Sequence, residues 1–352
     1  MKLERLATAL LLTATCVACD TSSSTSGDAS MSGSDAGPRP PDDRDDGPAM
    51  LRPAEVLATR GSFVMSIAVD DDHVYWGRRA GDEPMTGEVG RVPKTGGAVQ
   101  VLATGLGDYV AEMHVEGDYV YFLSLGKLLR VRKDGSSSTP EQVAPRSPST
   151  VVPVSLSFGE GDLFYLERST ESIVRTRLDG SGARTIWTGQ YPEFDIGEIY
   201  YHDRQVYFGS WYDVLRVPAD GTAEAVKIAT DPGRYPYHFA ADDSGLYWTR
   251  GGDSHVTEGG VFFLPTGSST PVELVSGIGA PMEIVTTQRY AFFSSVGELT
   301  PPTILRLDKG APAGAMPGVL AEQGEVQSLA IDDDFVYFGE VYTGKIGRIP
   351  RR

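Results

Sequence analysis

One column of residues in this chain has the makings of a chemical site. Ser66, Glu112, Ser155, Glu198, His238, Glu283 and Ser328 each stand eight residues before a recurring apolar triplet. Each is followed by an apolar residue, in turn Ile67, Met113, Leu156, Ile199, Phe239, Ile284 and Leu329. Brought together, the carboxylates of Glu112, Glu198 and Glu283 and the imidazole of His238 could hold one divalent cation through oxygen-rich ligation. The same groups could instead do acid–base work. A water-filled channel lined by solvated groups would use the same residue types. His73, His114 and His202 fall at other positions of the pattern, so no multi-histidine metal site is expected. There is no G-x-S-x-G elbow, phosphate loop or dinucleotide fingerprint, and no other cofactor is implied.

The triplets show what must position this column. They are Val74-Tyr75-Trp76, Val120-Tyr121-Phe122, Leu163-Phe164-Tyr165, Val206-Tyr207-Phe208, Leu246-Tyr247-Trp248, Ala291-Phe292-Phe293 and Val336-Tyr337-Phe338, spaced by 46, 43, 43, 40, 45 and 45 residues. A period near 43 rich in β-branched and aromatic residues predicts one four-stranded propeller blade per repeat. The expected fold is therefore all-β, a seven-bladed β-propeller over residues 51–352. In the first repeat Ser66 to Asp70 reads as the inner strand and His73 to Gly77 as the second. Gly90 to Pro93 reads as the third and Val99 to Ala103 as the outer strand. Thr95-Gly96-Gly97, Asp134-Gly135, Asp179-Gly180 and Asp220-Gly221 supply hairpins whose glycines accept positive φ. The last repeat stops after its third strand, at Gly347 to Pro350, and Glu55 to Thr59 matches the outer-strand sequence Val99 to Thr104. The N-terminal strand should thus complete the last blade and leave no open edge.

Inner strands line the central channel, so the polar column is expected to converge on one channel mouth. Loops on that side add Phe63, Tyr109, Asp195, Tyr235 and Tyr237 between blades, and Trp211, Tyr212, His255 and Tyr342 between second and third strands. Aromatics gathered on one face read as a recognition surface, and singly as packing between blades. Arg91, Arg130, Arg175, Arg216, Arg306 and Arg348 on third strands read as structural partners of acidic turns rather than as a basic ring. Asp70-Asp71-Asp72, Asp242-Asp243 and Asp332-Asp333-Asp334 lack calcium-loop spacing and read as turns.

Residues 1–19 read as an export signal: Lys2 and Arg5, then a nine-residue apolar run from Leu6 to Ala14, too short to span a bilayer. Cys16-Val17-Ala18-Cys19 resembles a bacterial lipobox, which implies lipidation of Cys19. Residues 20–50 are almost wholly Ser, Thr, Gly, Asp and Pro, and are expected to form a disordered tether with a reach of roughly 30 Å. The formal charge of −17 excludes nucleic acid as a partner and disfavours docking on anionic lipid. The expected setting is the cell envelope, with the membrane reached through the lipid anchor only and the propeller monomeric.

The repeat resembles YWTD-type and related bacterial propeller repeats, with an aromatic strand, an Ile/Val-x-Arg strand and a Gly hairpin. Tyr247-Trp248-Thr249-Arg250 comes nearest, with Arg250 in place of Asp. The architecture is also similar to that of the seven-bladed virginiamycin B lyases, which implies a Glu/His magnesium site at a channel mouth, where this chain has a single histidine. The expected function is a binding or scaffold module for a protein, glycan or small ligand. A metal-assisted lyase or hydrolase is the alternative.

Overall fold

The computed structural model describes residues 51–61, 63–79, 86–107, 109–144, 153–189, 196–230, 236–251, 258–296 and 302–351. The signal segment, Cys19, the tether, Asp195, Tyr235 and His255 lie outside the described residues. Among the described residues, 28 strands pair into seven antiparallel four-stranded sheets, and the chain is an all-β, seven-bladed propeller.

Blade 1 shows how the repeat works. Its strands are Val64–Val69, His73–Arg78, Gly87–Pro93 and Gln100–Leu106, from the axis outward. A blade packs neighbours on both faces, so residues of either parity are buried. Val74, Tyr75 and Trp76 are consecutive and all at 0% exposure. The Trp76 indole lies over Gly90 of the third strand, where any Cβ would collide with the ring. The third strand begins at Gly87, three residues before the sequence reading placed it, because Glu88 pairs opposite Arg78 and carries the ladder outward.

The ring closes as the repeat pattern requires. Glu55–Thr59 pairs with Lys345–Pro350, and Val326–Ile331 and Phe335–Glu340 complete the sheet. Glu55 stands opposite Arg348, and Arg348 Nε donates to Glu55 Oε2 at 2.8 Å. Leu57 enters the core shared by blades 6, 7, 1 and 2. Just upstream, the Arg52 N–H donates to the Leu320 carbonyl at 2.9 Å, so the chain enters along the rim of blade 6.

Strand direction divides the connections between two faces. Turns between first and second strands and hairpins between third and outer strands form the hairpin face. The remaining connections form the loop face. On the hairpin side the arginine column has a structural role, but it staples blades together through backbone carbonyls of the next blade, where the sequence reading expected acidic turns. Arg130 Nη1 donates to the Leu178 carbonyl at 3.0 Å and Arg175 Nη1 to the Ala219 carbonyl at 3.1 Å, each in the next blade's hairpin. Arg306 Nη1 reaches the Arg351 carbonyl of blade 7 in the same way, at 3.0 Å.

The acidic turns are turns. Asp70 Oδ1 accepts from the N–H groups of Asp72 and His73, and Asp332 Oδ1 does the same for Asp334 and Phe335. Their other oxygens bind across blades, Lys133 Nζ to Asp70 at 3.1 Å and Lys94 Nζ to Asp332 at 2.7 Å, and Lys309 meets Asp242 likewise. Burial disfavours the charged form of Asp70, but hydrogen bonds from Tyr75, the His73 N–H and Lys133 outweigh it and hold the carboxyl below its usual range.

Candidate functional site

In all seven blades the pairing of first and second strands slips at the same place, next to the polar column. The slips fall between Val64 and Ser66, Ala111 and His114, Pro153 and Ser155, and Ile196 and Ile199. They recur between Pro236 and Phe239, Pro281 and Ile284, and Val326 and Ser328. Each slip sets two inner-strand residues against one on the partner, a β-bulge, which bends the strand and re-aims a side chain. Glu112 even takes a positive φ of 52°.

The re-aimed side chains do not face an opening. All seven column residues are at most 1% exposed, which corrects both the expected solvated mouth and the water-lined channel. In four blades the side chain lies sideways, against the backbone of the next blade. The N–H of Ile67 donates to Ser328 Oγ at 3.0 Å, and that of Met113 to Ser66 Oγ at 2.8 Å. The N–H of Leu156 donates to Glu112 Oε2 at 3.1 Å, and that of Ile199 to Ser155 Oγ at 3.1 Å. Through Ser328, Ser66, Glu112 and Ser155 the column ties blades 7, 1, 2, 3 and 4 together. Ser66→Ala leaves the buried Met113 N–H without this acceptor, so it is expected to lower unfolding stability by about 1–3 kcal/mol. Denaturant melts check this, and an unchanged midpoint would show that the bond contributes nothing.

The candidate metal ligands meet only in part. His238 Nδ1 lies 2.9 Å from Glu198 Oε2, with both side chains at 0% exposure. Among the described residues no group of three or more His, Cys, Asp or Glu is arranged to hold a metal ion. Burial pushes the His238 imidazole down to about 4, against the opposing pull of the Glu112 charge. The imidazole is therefore neutral at pH 7. The Tyr237 ring meets it edge-on at 5.1 Å.

The exposed chemistry lies on the loop face. Tyr109 is 41%, Trp211 38% and Tyr342 66% exposed. Three of these loops hold large apolar residues at positive φ: Phe63 at 64°, Leu125 at 55° and Trp211 at 52°. Such backbone is costly for bulky residues and is retained where the surroundings impose it, often at functional positions. The Phe63 and Tyr342 rings meet edge-on at 6.4 Å. The Arg79 guanidinium lies 5.4 Å from the Phe63 ring and 4.8 Å from the Tyr109 ring. Backbone bonds tie the row together, from the Phe63 N–H to the Val341 carbonyl and from the Arg79 N–H to the Phe63 carbonyl. A continuous strip thus crosses blades 7, 1 and 2.

Sequence reasoning named Phe63, Tyr109, Trp211 and Tyr342 but missed Arg79 and Leu125. Leu125-Gly126 between two strands is a two-residue turn signal that could have exposed Leu125. Nothing in the local sequence marks Arg79.

No protein-family model matches the chain, and neither does any curated protein. Solved structures do. YCF48, solved bound to D1 peptide, is 13% identical with a TM-score of 0.62, covering 87% of this chain and 99% of its own. The WD40 β-propeller domain of Doa1 is 12% identical with a TM-score of 0.62, covering 86% and 98%. The likeness is one of fold: this chain is a β-propeller. BamB from Moraxella catarrhalis is 13% identical with a TM-score of 0.50, covering 81% of this chain and 84% of its own. At these identities the neighbours speak for architecture alone.

Proposed function

We infer that the chain is a binding or scaffold module that meets its partner with the loop face. The observation that carries this reading is the strip itself. Tyr342, Phe63, Arg79 and Tyr109 come from loops of three blades, touch in sequence and are held by backbone hydrogen bonds. Large aromatics with few rotamers and an arginine are the side chains that dominate binding energy at protein interfaces. The two-residue hairpins that hold Leu125 and Trp211 at positive φ present both side chains on the same face, where both are exposed.

The setting completes the proposal. Lipidation at Cys19 and a tether over residues 20–50 would hold the propeller in the cell envelope, outside the cytoplasm, as the lipobox-like sequence suggests. Photo-crosslinking in intact cells tests both parts. Crosslinkers at Leu125 and Tyr342 are expected to give discrete adducts that one at Asp220, on the hairpin face, does not give. The whole chain is expected to leave the membrane fraction in Cys19→Ser. Equal adducts from both faces would overturn the loop-face assignment, and membrane retention of Cys19→Ser would overturn the anchor.

A further inference from the structure

Among the described residues, the corner of the loop face at blade 1 sets three arginines, Arg60, Arg78 and Arg79, around one carboxylate, Glu88. The formal net charge is −17. At this corner, however, Arg60 Nη2 and Arg78 Nε both reach one oxygen, Glu88 Oε1, at 2.9 Å. Two guanidiniums share a single carboxylate. The third, Arg79, has no carboxylate partner among the described residues and rests against the rings of Phe63 and Tyr109. A guanidinium held by ring faces keeps its in-plane N–H donors for a ligand. Their fork geometry matches a carboxylate bidentately.

The ends of the strip set the size of that ligand. Beyond the arginine stand Tyr109 on one side and Tyr342 on the other, both substantially exposed. A lone small acid would leave both rings in water. An extended chain advances about 3.3 Å per residue, so a few residues would bring side chains onto both rings while an acidic one sits at Arg79. Because the backbone bonds already hold the strip, little ordering cost opposes binding.

We propose that this corner binds an extended acidic peptide segment of a partner protein, with Arg79 taking an Asp or Glu carboxylate and Tyr109 and Tyr342 receiving its apolar neighbours. This rests on the reading of the loop face as a binding surface. Asp82 and Glu83 follow Arg79 closely in the sequence and lie outside the described residues, so their role is built into the test.

The probe is a library of random 12-residue peptides displayed on phage and panned against the full chain. The most enriched peptide is then synthesised and titrated by calorimetry. Enrichment of Asp or Glu beside aromatic residues or proline is expected. Arg79→Gln should weaken that peptide at least tenfold, Arg79→Lys should restore it only in part, and Tyr342→Ala should weaken it several-fold. Each variant must keep the wild-type melting midpoint, which the exposure of Tyr342 favours. Peptides without acidic enrichment, or an unchanged Kd in Arg79→Gln beside a weakened one in Tyr342→Ala, would overturn the carboxylate and leave the binding face standing. Binding that appears only in the double variant Asp82→Asn, Glu83→Gln would show that the chain neutralises its own arginine, and would also overturn the proposal. Enriched peptides insensitive to both Arg79→Gln and Tyr342→Ala would remove the loop-face reading itself.

Discussion

A chain that begins at residue 61 is expected to lose its cooperative unfolding transition and to elute as assemblies rather than as a monomer. Such a chain lacks Glu55–Thr59, the outer strand of blade 7. The ladder from Glu55↔Arg348 to Thr59↔Lys345 disappears with it, at about 1 kcal/mol for each hydrogen bond. So does the buried Leu57 side chain, whose truncation alone costs on the order of 2–5 kcal/mol. Together these losses approach the whole stability of an ordinary domain, about 5–15 kcal/mol. The exposed edge of Lys345–Pro350 then invites pairing with another copy. A synthetic peptide of residues 51–60 should restore the monomer by adding the missing strand in trans. Size-exclusion chromatography and thermal melts decide the matter. A shortened chain that melts like the parent would mean that the closing strand is dispensable.

Acidification is expected to weaken the fold through His238 before most carboxylates titrate. Burial lowers the imidazole to about 4, whereas the unfolded chain protonates near 6.5. Between those values the unfolded state binds more protons, so stability falls as pH drops through this window and changes no further from this group below it. The difference corresponds to about 3 kcal/mol. Asp70, Asp242 and Asp332, whose carboxyls are all held low, lose their contribution only at lower pH. His114, buried and stacked at 3.8 Å on Phe158, is also held down by burial and acts in the same direction as His238. Denaturant melts of the parent and His238→Gln at pH 7, 5.5 and 4 separate the two histidines. The variant should show a much shallower pH slope, whatever its absolute stability. An equal slope would assign the acid sensitivity elsewhere.

The ring was legible because its evidence repeats. Seven aromatic triplets at near-constant spacing give seven blades, and the match of Glu55–Thr59 to Val99–Thr104 gives the closure. The fate of the polar column was not legible. A polar residue before an apolar one is what a channel-lining strand looks like, and only the bulge turns Ser66 or Glu112 sideways. Bulges insert one residue without a sequence mark, as the different residues Met65, Val154 and Gln327 before the column show. One signal was present and unused. Lys94, Lys133 and Lys309 each follow a blade carrying Asp332, Asp70 or Asp242. Where the lysine position holds Ala219 or Thr266, the acidic position of the preceding blade holds Gly159 or His202. Arg79 was illegible for another reason. Its surroundings come from loops more than 250 residues apart in sequence, Phe63 and Tyr342.

Because the first and last described strands pair within one sheet, the position of the seam is a property of the chain and not of the ring. Linking the end near Arg351 to the start near Arg52 and reopening the backbone at another hairpin, such as Asp220-Gly221, would move the seam to blade 4. Every pairing now present could form again in such a circular permutant. Hairpin tips are where such cuts are best tolerated. Six permutants, one for each of the other blades, would share one native architecture with the parent and differ in the order of synthesis and in which loop closures the unfolded chain must make. Differences among their folding rates would then measure chain connectivity separately from blade packing.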